Sequence, residues 1–472
     1  MTLQELVPIT LGNQIAPRRE RMEPNEWPDA PYLSLEHIEA HTTRIMDLGR
    51  AGDMKSTCFV YRSGDVLYSR LRPYLNKVAV AREDGLCSGE FIVFPGDELG
   101  DSRYLKYRLN APDFLRFTAT LDAGDRPRVK WSQISEFETT IPSGEVQTRV
   151  ADYFDAQFSR LADAEANLKR AKQNLERYRR SVLHAACTGK LVPTEAELAR
   201  AEGRDYEPAE KLLERILVER RKKWEEAEIE KAKAKGKELT GDAWKKYKEP
   251  VAPVVEGLPE LPEGWCWVSV EQLGDAATQP VMTGPFGSSV GSKDFVDSGV
   301  PLLTIGCLRE EGISLDAAKY VTEGKARELS RYKLEEGDFL FSRMASVGRA
   351  GVVTAEIAGA RFNYHIMRLR FTEGAISPGY YLAYIRGSPI VPSYVRQVNH
   401  GATRDGINTE QLLGLPIALP PGSEQRRICM RLDQVLSHIR ASLHSVERNG
   451  GLLEKVRQSL LQSVFSPEAV HE

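Results

Sequence analysis

Three groups of side chains have the types and spacing to grip a polyanion. The run Ser69-Arg-Leu-Arg-Pro-Tyr-Leu-Asn-Lys77 sets Arg70, Arg72 and Lys77 around one tyrosine, with no acid among them. Arg126, Arg128 and Lys130 follow at alternate positions. A third group holds Arg343, Arg349, His400, Thr403 and Arg404, with Asn399 alongside. Guanidinium, ammonium, amide and hydroxyl groups on loops and strand ends bind phosphate oxygens and base edges of DNA. Taken singly, each of these residues reads as an ordinary solvated surface cation. Their recurrence in two halves of the chain makes them candidates: Arg70 matches Arg343 at an offset of 273, and Arg126 matches Arg404 at 278. Either pair could instead buttress the fold.

Catalytic patterns are weaker. Gly284-Pro-Phe-Gly-Ser-Ser-Val-Gly-Ser-Lys293 has the glycine content of a phosphate loop. That loop needs Gly-Lys-Ser/Thr in succession, so that backbone amides and lysine converge on one phosphate. Here Ser292 intervenes and Asp294 follows, which fits a turn-rich loop. There is no Asn/Asp-Pro-Pro-Tyr/Phe string, as an adenine methyltransferase would carry, and no His-Glu-x-x-His or other metal-ligand spacing among the eight histidines. No Ser/His/Asp constellation is defensible, and a triplet such as Glu323-Gly-Lys325 is too common to argue for a nuclease. The expectation is a chain with neither catalytic residues nor a metal site. A net charge of −3 over 472 residues excludes a uniformly basic DNA-coating protein, so any nucleic-acid contact must be local or shared with a partner. No run of about eighteen apolar residues could span a bilayer, and the N-terminal stretch lacks a signal-peptide pattern. Six scattered cysteines without C-x-x-C spacing argue against zinc and a disulfide framework, and suit the cytoplasm.

The elements that must position these groups come in duplicate. A heptad seam predicts a long helix from about Gln147 to Cys187, with Phe154, Leu161, Leu168, Leu175 and Val182 at every seventh position. A second helix, from about Gln425 to Phe465, carries Leu432, Ile439, Val446, Leu453 and Leu460 in the same register, with Val435, Ser442, Asn449, Val456 and Ser463 three positions behind. The copies align without a gap at an offset of 278, pairing Gln147 with Gln425 and Asp155 with Asp433, which argues for a true internal repeat. So narrow a stripe suits one partner helix rather than a globular core, so the two are expected to pack on each other.

The preceding segments echo each other too. Gly64-Asp-Val-Leu-Tyr-Ser-Arg70 matches Gly337-Asp-Phe-Leu-Phe-Ser-Arg343, and the segment from Gly85 to Pro95 corresponds loosely to that from Gly359 to Leu369 at an offset of 274. One helix is expected from Ser102 to Leu115. Between the halves, the charged stretch from Thr194 to Glu249 reads as a solvated helical spacer beginning at Pro208, with Trp224 and Trp244 as docking spots for a partner. Four prolines between Pro250 and Pro262 read as an extended linker. The expected fold class is α+β: mixed α/β domains over 1–143 and 263–421, long helices over 144–190 and 422–472, and spacer and linker over 191–262. The helices would form an antiparallel coiled coil with pseudo-twofold symmetry. Two unlike domains related in this way would read an asymmetric, bipartite duplex site with an unread gap.

Several strings in order carry a resemblance. They are Arg180-Ser-Val-Leu-His-Ala-Ala-Cys-Thr-Gly-Lys-Leu191, Tyr206-Glu-Pro-Ala-Glu-Lys-Leu-Leu-Glu-Arg-Ile216, Leu261-Pro-Glu-Gly-Trp-Cys-Trp-Val268, Thr283-Gly-Pro-Phe-Gly-Ser288, Gly299-Val-Pro-Leu-Leu303, Glu336-Gly-Asp-Phe-Leu-Phe-Ser-Arg343 and Glu424-Gln-Arg-Arg-Ile428. On the duplicated domain–helix frame, the chain resembles the specificity subunit of type I restriction-modification systems over essentially its whole length. The first domain departs from the pattern by lacking a Leu-Pro-Glu-Gly-Trp opening. The resemblance implies two target-recognition domains that bind double-stranded DNA, and helices that dock two methyltransferase subunits using S-adenosylmethionine. It also implies restriction helicase-nuclease subunits that join with ATP and Mg, this subunit itself holding no cofactor and catalysing nothing. The alternative from a different class is a coiled-coil scaffold with two protein-binding domains and no DNA contact.

Overall fold

The computed structural model describes residues 9–98, 100–121, 126–236, 246–286, 289–310, 312–344, 347–399 and 406–465. These fall into two compact units, one within 1–172 and 444–472, the other within 173–443. The division lies inside the long helices, Gly144–Cys187 and Gly422–Phe465, so each helix contributes to both units.

In the first unit a glycine turn sets the central strand. Gly64 has φ +87°, which a side chain would strain. Asp65 behind it is buried, pairs with Arg18 Nε at 2.7 Å and accepts the Arg62 amide at 2.9 Å. Strand Val66–Ser69 is buried throughout and runs antiparallel between Val78–Val80 and Phe91–Phe94. A five-stranded sheet beside it pairs Pro31–Leu33 parallel with Gly85–Cys87. The single helix expected over Ser102–Leu115 is instead two, Ser102–Arg108 and Pro112–Ala119. Pro112 has no amide to donate into a preceding turn, and it holds Ala111 extended at φ −71°, ψ 147°.

The second unit repeats this plan. Gly337 has φ +86°, buried Asp338 pairs with Arg370 Nε at 2.7 Å, and the Glu335 amide donates to it at 2.8 Å. Strand Phe339–Ser342 lies between Ala350–Val352 and Ile366–Leu369, and Val281–Thr283 adds a fourth strand beyond Ile366–Leu369. Val300–Leu303 runs parallel to Arg361–Phe362, as Pro31–Leu33 does to Gly85–Cys87. Val66 faces Phe94 and Phe339 faces Leu369, so this part of the repeat has an offset of 275. The sequence alignment at 274 is thus one residue out, and in a strand such a slip turns every side chain to the other face.

The spacer is less solvated than its composition implies. Helix Ala209–Ala234 buries Ala209, Leu212, Ile216 and Arg220 along one face. Arg220 donates to the Gly274 carbonyl at 3.0 Å and to the Tyr247 hydroxyl at 2.7 Å. Trp224 is half-buried against Tyr247, with 5.1 Å between ring centroids, so it packs within its own chain. Trp244 lies outside the described residues. The short helix Glu195–Glu202 brings Glu195 to Arg204 and Arg427, while the Glu195 amide donates to buried Glu424 at 2.8 Å.

Each long helix has 44 residues. In the first unit Phe154 packs on Tyr107, Phe158 and Phe465, Glu165 meets Arg457, and Lys172 meets Glu447. Partner numbers fall as the first helix advances, so the pair is antiparallel. In the second unit Val182, Leu183 and Ala186 share a core with Leu432, Val435 and Ile439. The seam departs from strict heptads. Phe154, Leu161, Val182, Leu432 and Ile439 are buried; Leu168, Leu175, Val446, Leu453 and Leu460 are only half-buried; Ser442, Asn449 and Val456 are exposed. Late in the second helix Arg457 and Leu461 are buried in place of Val456 and Leu460. A straight helix drifts about 20° per heptad, so four heptads move the buried line by nearly one residue.

One buried glutamine ties each long helix to its domain. Gln147 Oε1 accepts the Asp101 amide at 2.9 Å, and its Nε2 donates to the Pro142 carbonyl at 2.9 Å. Gln425 Oε1 accepts the Ser377 amide at 2.8 Å, and its Nε2 donates to the Pro420 carbonyl at 2.9 Å. Replacing either by leucine keeps the volume and strands a buried donor and acceptor. Gln147→Leu and Gln425→Leu should each lose about 2–4 kcal/mol in urea denaturation, and a loss under about 1 kcal/mol would remove the tie from the account.

A pH dependence follows from Glu195. Burial alone would push its carboxyl up, but hydrogen bonds from Arg427, Ser423 and Arg204 outweigh burial and bring it down to about 2. A depressed carboxylate stabilises the fold above its unfolded pKa and loses that contribution as pH falls through its folded pKa. Arg427→Ala should therefore flatten the stability profile between pH of about 4.5 and about 2, relative to the unchanged chain. Parallel profiles for the two proteins would contradict this.

Candidate nucleic-acid interface

In the first unit, two of the basic groups read from the sequence converge where the central strand ends. Arg70 follows strand Val66–Ser69; its amide donates to the Glu90 carbonyl and its carbonyl accepts from the Val129 amide, both at 2.9 Å. Leu71 and Arg128 form a backbone bridge, and the Arg72 amide donates to the Pro127 carbonyl at 2.8 Å. The two clusters therefore form one surface. Glu90 sits between two cations, 3.5 Å from Arg70 Nε and paired with Arg128. Arg70 Nε and Glu90 Oε2 are buried with no hydrogen-bond partner among the described residues, as Arg343 Nε is in the second unit, whereas Arg128 is exposed.

The remaining residues of these clusters differ in posture. Arg72 is exposed in the left-handed region at φ 51°, and Asn76 is buried there at φ 47°. They bracket the turn Pro73–Leu75, which presents Tyr74 to solvent. Arg126 and Lys130 are exposed. Lys77 is turned inward: its Nζ donates to the Leu35 carbonyl at 2.6 Å, and burial lowers its pKa. It fastens this loop rather than projecting from it.

The second unit builds the same exit from other side chains. The Arg343 amide donates to the His365 carbonyl and the Arg343 carbonyl accepts from the Ile407 amide, both at 2.9 Å, while Met344 bridges Gly406. The Ser342 amide donates to the Arg349 carbonyl at 2.8 Å, as the Ser69 amide does to that of Lys77 at 3.0 Å. These bonds match Arg70 to Arg343, Lys77 to Arg349 and Glu90 to His365. Arg349 is exposed. Burial and the neighbouring Arg343 charge hold the His365 imidazole below its ordinary pKa, so it is neutral near pH 7. Arg343 Nε and His365 Nδ1 are buried with no hydrogen-bond partner among the described residues. His400, Thr403 and Arg404 lie outside the described residues, so the Arg126/Arg404 pair is seen on one side only.

Sequence reading missed Glu90 and His365, the residues that set the charge at each exit. Both stand inside quoted segments, but the one-residue slip kept them from being matched. Among the described residues no cluster of His, Cys, Asp and Glu could hold a metal, and all six cysteines are free. No helix among them is long and apolar enough to cross a membrane.

Residues 289–447 match the type I restriction modification DNA specificity domain. The chain is 26% identical over 212 residues to a Methanocaldococcus jannaschii protein named as the type I restriction enzyme MjaX specificity subunit, covering 44% of this chain and 47% of that one. It is 25% identical over 208 residues to the type I restriction enzyme EcoDI specificity subunit of Escherichia coli, covering 42% and 45%. The matches thus span less than half the length of these curated relatives. Among solved structures, a chain from work on complex assembly and conformational transition of the type I R-M system aligns over 98% of both chains with a TM-score of 0.68 at 18% identity. Residues 289–447 thus carry the likeness to a type I restriction modification DNA specificity domain, and the fold is shared with that solved chain over nearly the full length.

Proposed function

We propose that this chain is the non-catalytic, DNA-reading subunit of a type I restriction-modification enzyme. Its domains at 1–143 and 263–421 bind the two unlike halves of a bipartite duplex site. Its long helices dock two methyltransferase subunits, which supply S-adenosylmethionine chemistry, and restriction helicase-nuclease subunits add ATP- and Mg-dependent cleavage in the cytoplasm. The observation that carries this reading is the equivalent placement of Arg70 and Arg343, each leaving a buried central strand on the same backbone bonds. A guanidinium in that position has the fork geometry to pair with phosphate or with guanine O6 and N7.

Base-modification sequencing of the source genome, with and without this gene, tests the reading. A bipartite motif methylated on one adenine per strand should vanish on deletion; unchanged methylation with an active methyltransferase present would favour the scaffold alternative. Within the chain, Arg343→Ala should relax or weaken recognition of one half-site and Arg70→Ala of the other, each by about 1–3 kcal/mol if the contact is bidentate to guanine. Loss at both halves from either substitution would contradict independent domains.

A further inference from the structure

The loop after strand Val281–Thr283 places an aromatic pair at the Arg343 exit. The Gly284 amide donates to the Ile366 carbonyl at 3.2 Å, and the loop lies so close that a Cβ on Gly284 would meet the Asn363 carbonyl oxygen at 2.3 Å. The Ser289 amide donates to the Phe286 carbonyl at 2.8 Å. Held in this way, Phe286 stacks on Tyr364, with centroids 6.3 Å apart and planes at 27°, while Tyr364 lies 3.9 Å from the His365 ring. One face of Phe286 is therefore backed by a ring, yet the residue is 61% exposed. At the repeat offset of 275, the counterpart of Tyr364 in the first unit is Gly89, so the pair is peculiar to the second.

A single exposed ring is ordinary on a surface, and what sets Phe286 apart is the second ring behind it and the charge beside it. Arg343 Nε is buried with no hydrogen-bond partner among the described residues, and its charge helps hold the adjoining His365 imidazole toward the neutral form. The surface is thus cationic beside an aromatic face, a combination that suits a nucleobase carried on a phosphate backbone. Resting on the DNA-reading function proposed above, we infer that Phe286, backed by Tyr364, is a stacking platform for a base that leaves the duplex stack in the half-site read by the second unit. The Thr283-Gly-Pro-Phe-Gly-Ser288 string then has a physical role: its first glycine brings the loop onto the strand so that the phenylalanine reaches the base.

The test uses the full chain and a duplex selected from a random pool, in three forms: intact, first half scrambled, and second half scrambled. Phe286→Ala should bind the intact duplex about tenfold more weakly or worse. The loss should persist with the first half scrambled and disappear with the second half scrambled. Phe286→Trp should restore binding. The salt dependence should keep its slope, because no phosphate contact is removed. Unchanged affinity for the intact duplex would overturn the inference while leaving the DNA reading in place. So would a loss that persists with the second half scrambled, or a defect confined to binding a protein partner. If the unsubstituted chain selects no duplex, the DNA reading fails and the inference falls with it.

Discussion

Two buried carboxamides fix where everything else can be. Gln147 and Gln425 each bridge the start of a long helix to two backbone groups, an amide at the head of a short domain helix and the carbonyl of a proline just before the long helix. An amide side chain offers a donor and an acceptor in a fixed plane, so satisfying both sets the direction in which the helix leaves its domain. An aliphatic residue would fill the space without choosing a direction. Each long helix of 44 residues begins within a few residues of this tie. The tie occurs twice with nearly the same distances, although the two halves differ in sequence.

Downstream of that constraint the halves diverge in charge. Both central strands start at a left-handed glycine, anchor on a buried aspartate paired with an arginine, and end in an exposed turn that bears another arginine. Glu90 against His365 is the principal difference at that exit. A carboxylate between two guanidiniums lowers the net positive field; a neutral imidazole brings Arg343 no counter-charge. The same scaffold thus carries an acid at one exit and an imidazole at the other.

Much of this was legible from residue identity. The paired Gly-Asp turns, the strand-ending arginines and the ungapped helix repeat are local patterns, and local patterns survive in sequence. What was not legible depends on register or on tertiary contact. The offset of 275 across the strands at Phe91 and Ile366 could be fixed only by seeing Val66 opposite Phe94 and Phe339 opposite Leu369. The spacer helix looked solvated because its charges balance, yet four residues on one face are buried against the second unit's own elements. Lys77 read as a surface cation, and no neighbour in sequence announces that the Leu35 carbonyl is waiting for it.

The heptad seam shows the same limit from another side. Counting by sevens locates both helices and their mutual packing, but it treats the helix as though it turned every 3.5 residues. A straight helix turns every 3.6, so the count stays right near its origin and falls one residue behind after four heptads. That is where Leu461 replaces Leu460 and Arg457 replaces Val456. Arg457 is accommodated by lying over the Phe158 ring at 5.3 Å and pairing with Glu165 at 3.2 Å, contacts a coiled-coil core position would not provide. Val456, which a strict seam would bury, is instead exposed, as is Leu452. The same drift that spoils the heptad count therefore sorts the helix into a face that holds this chain together and a face with apolar surface left over.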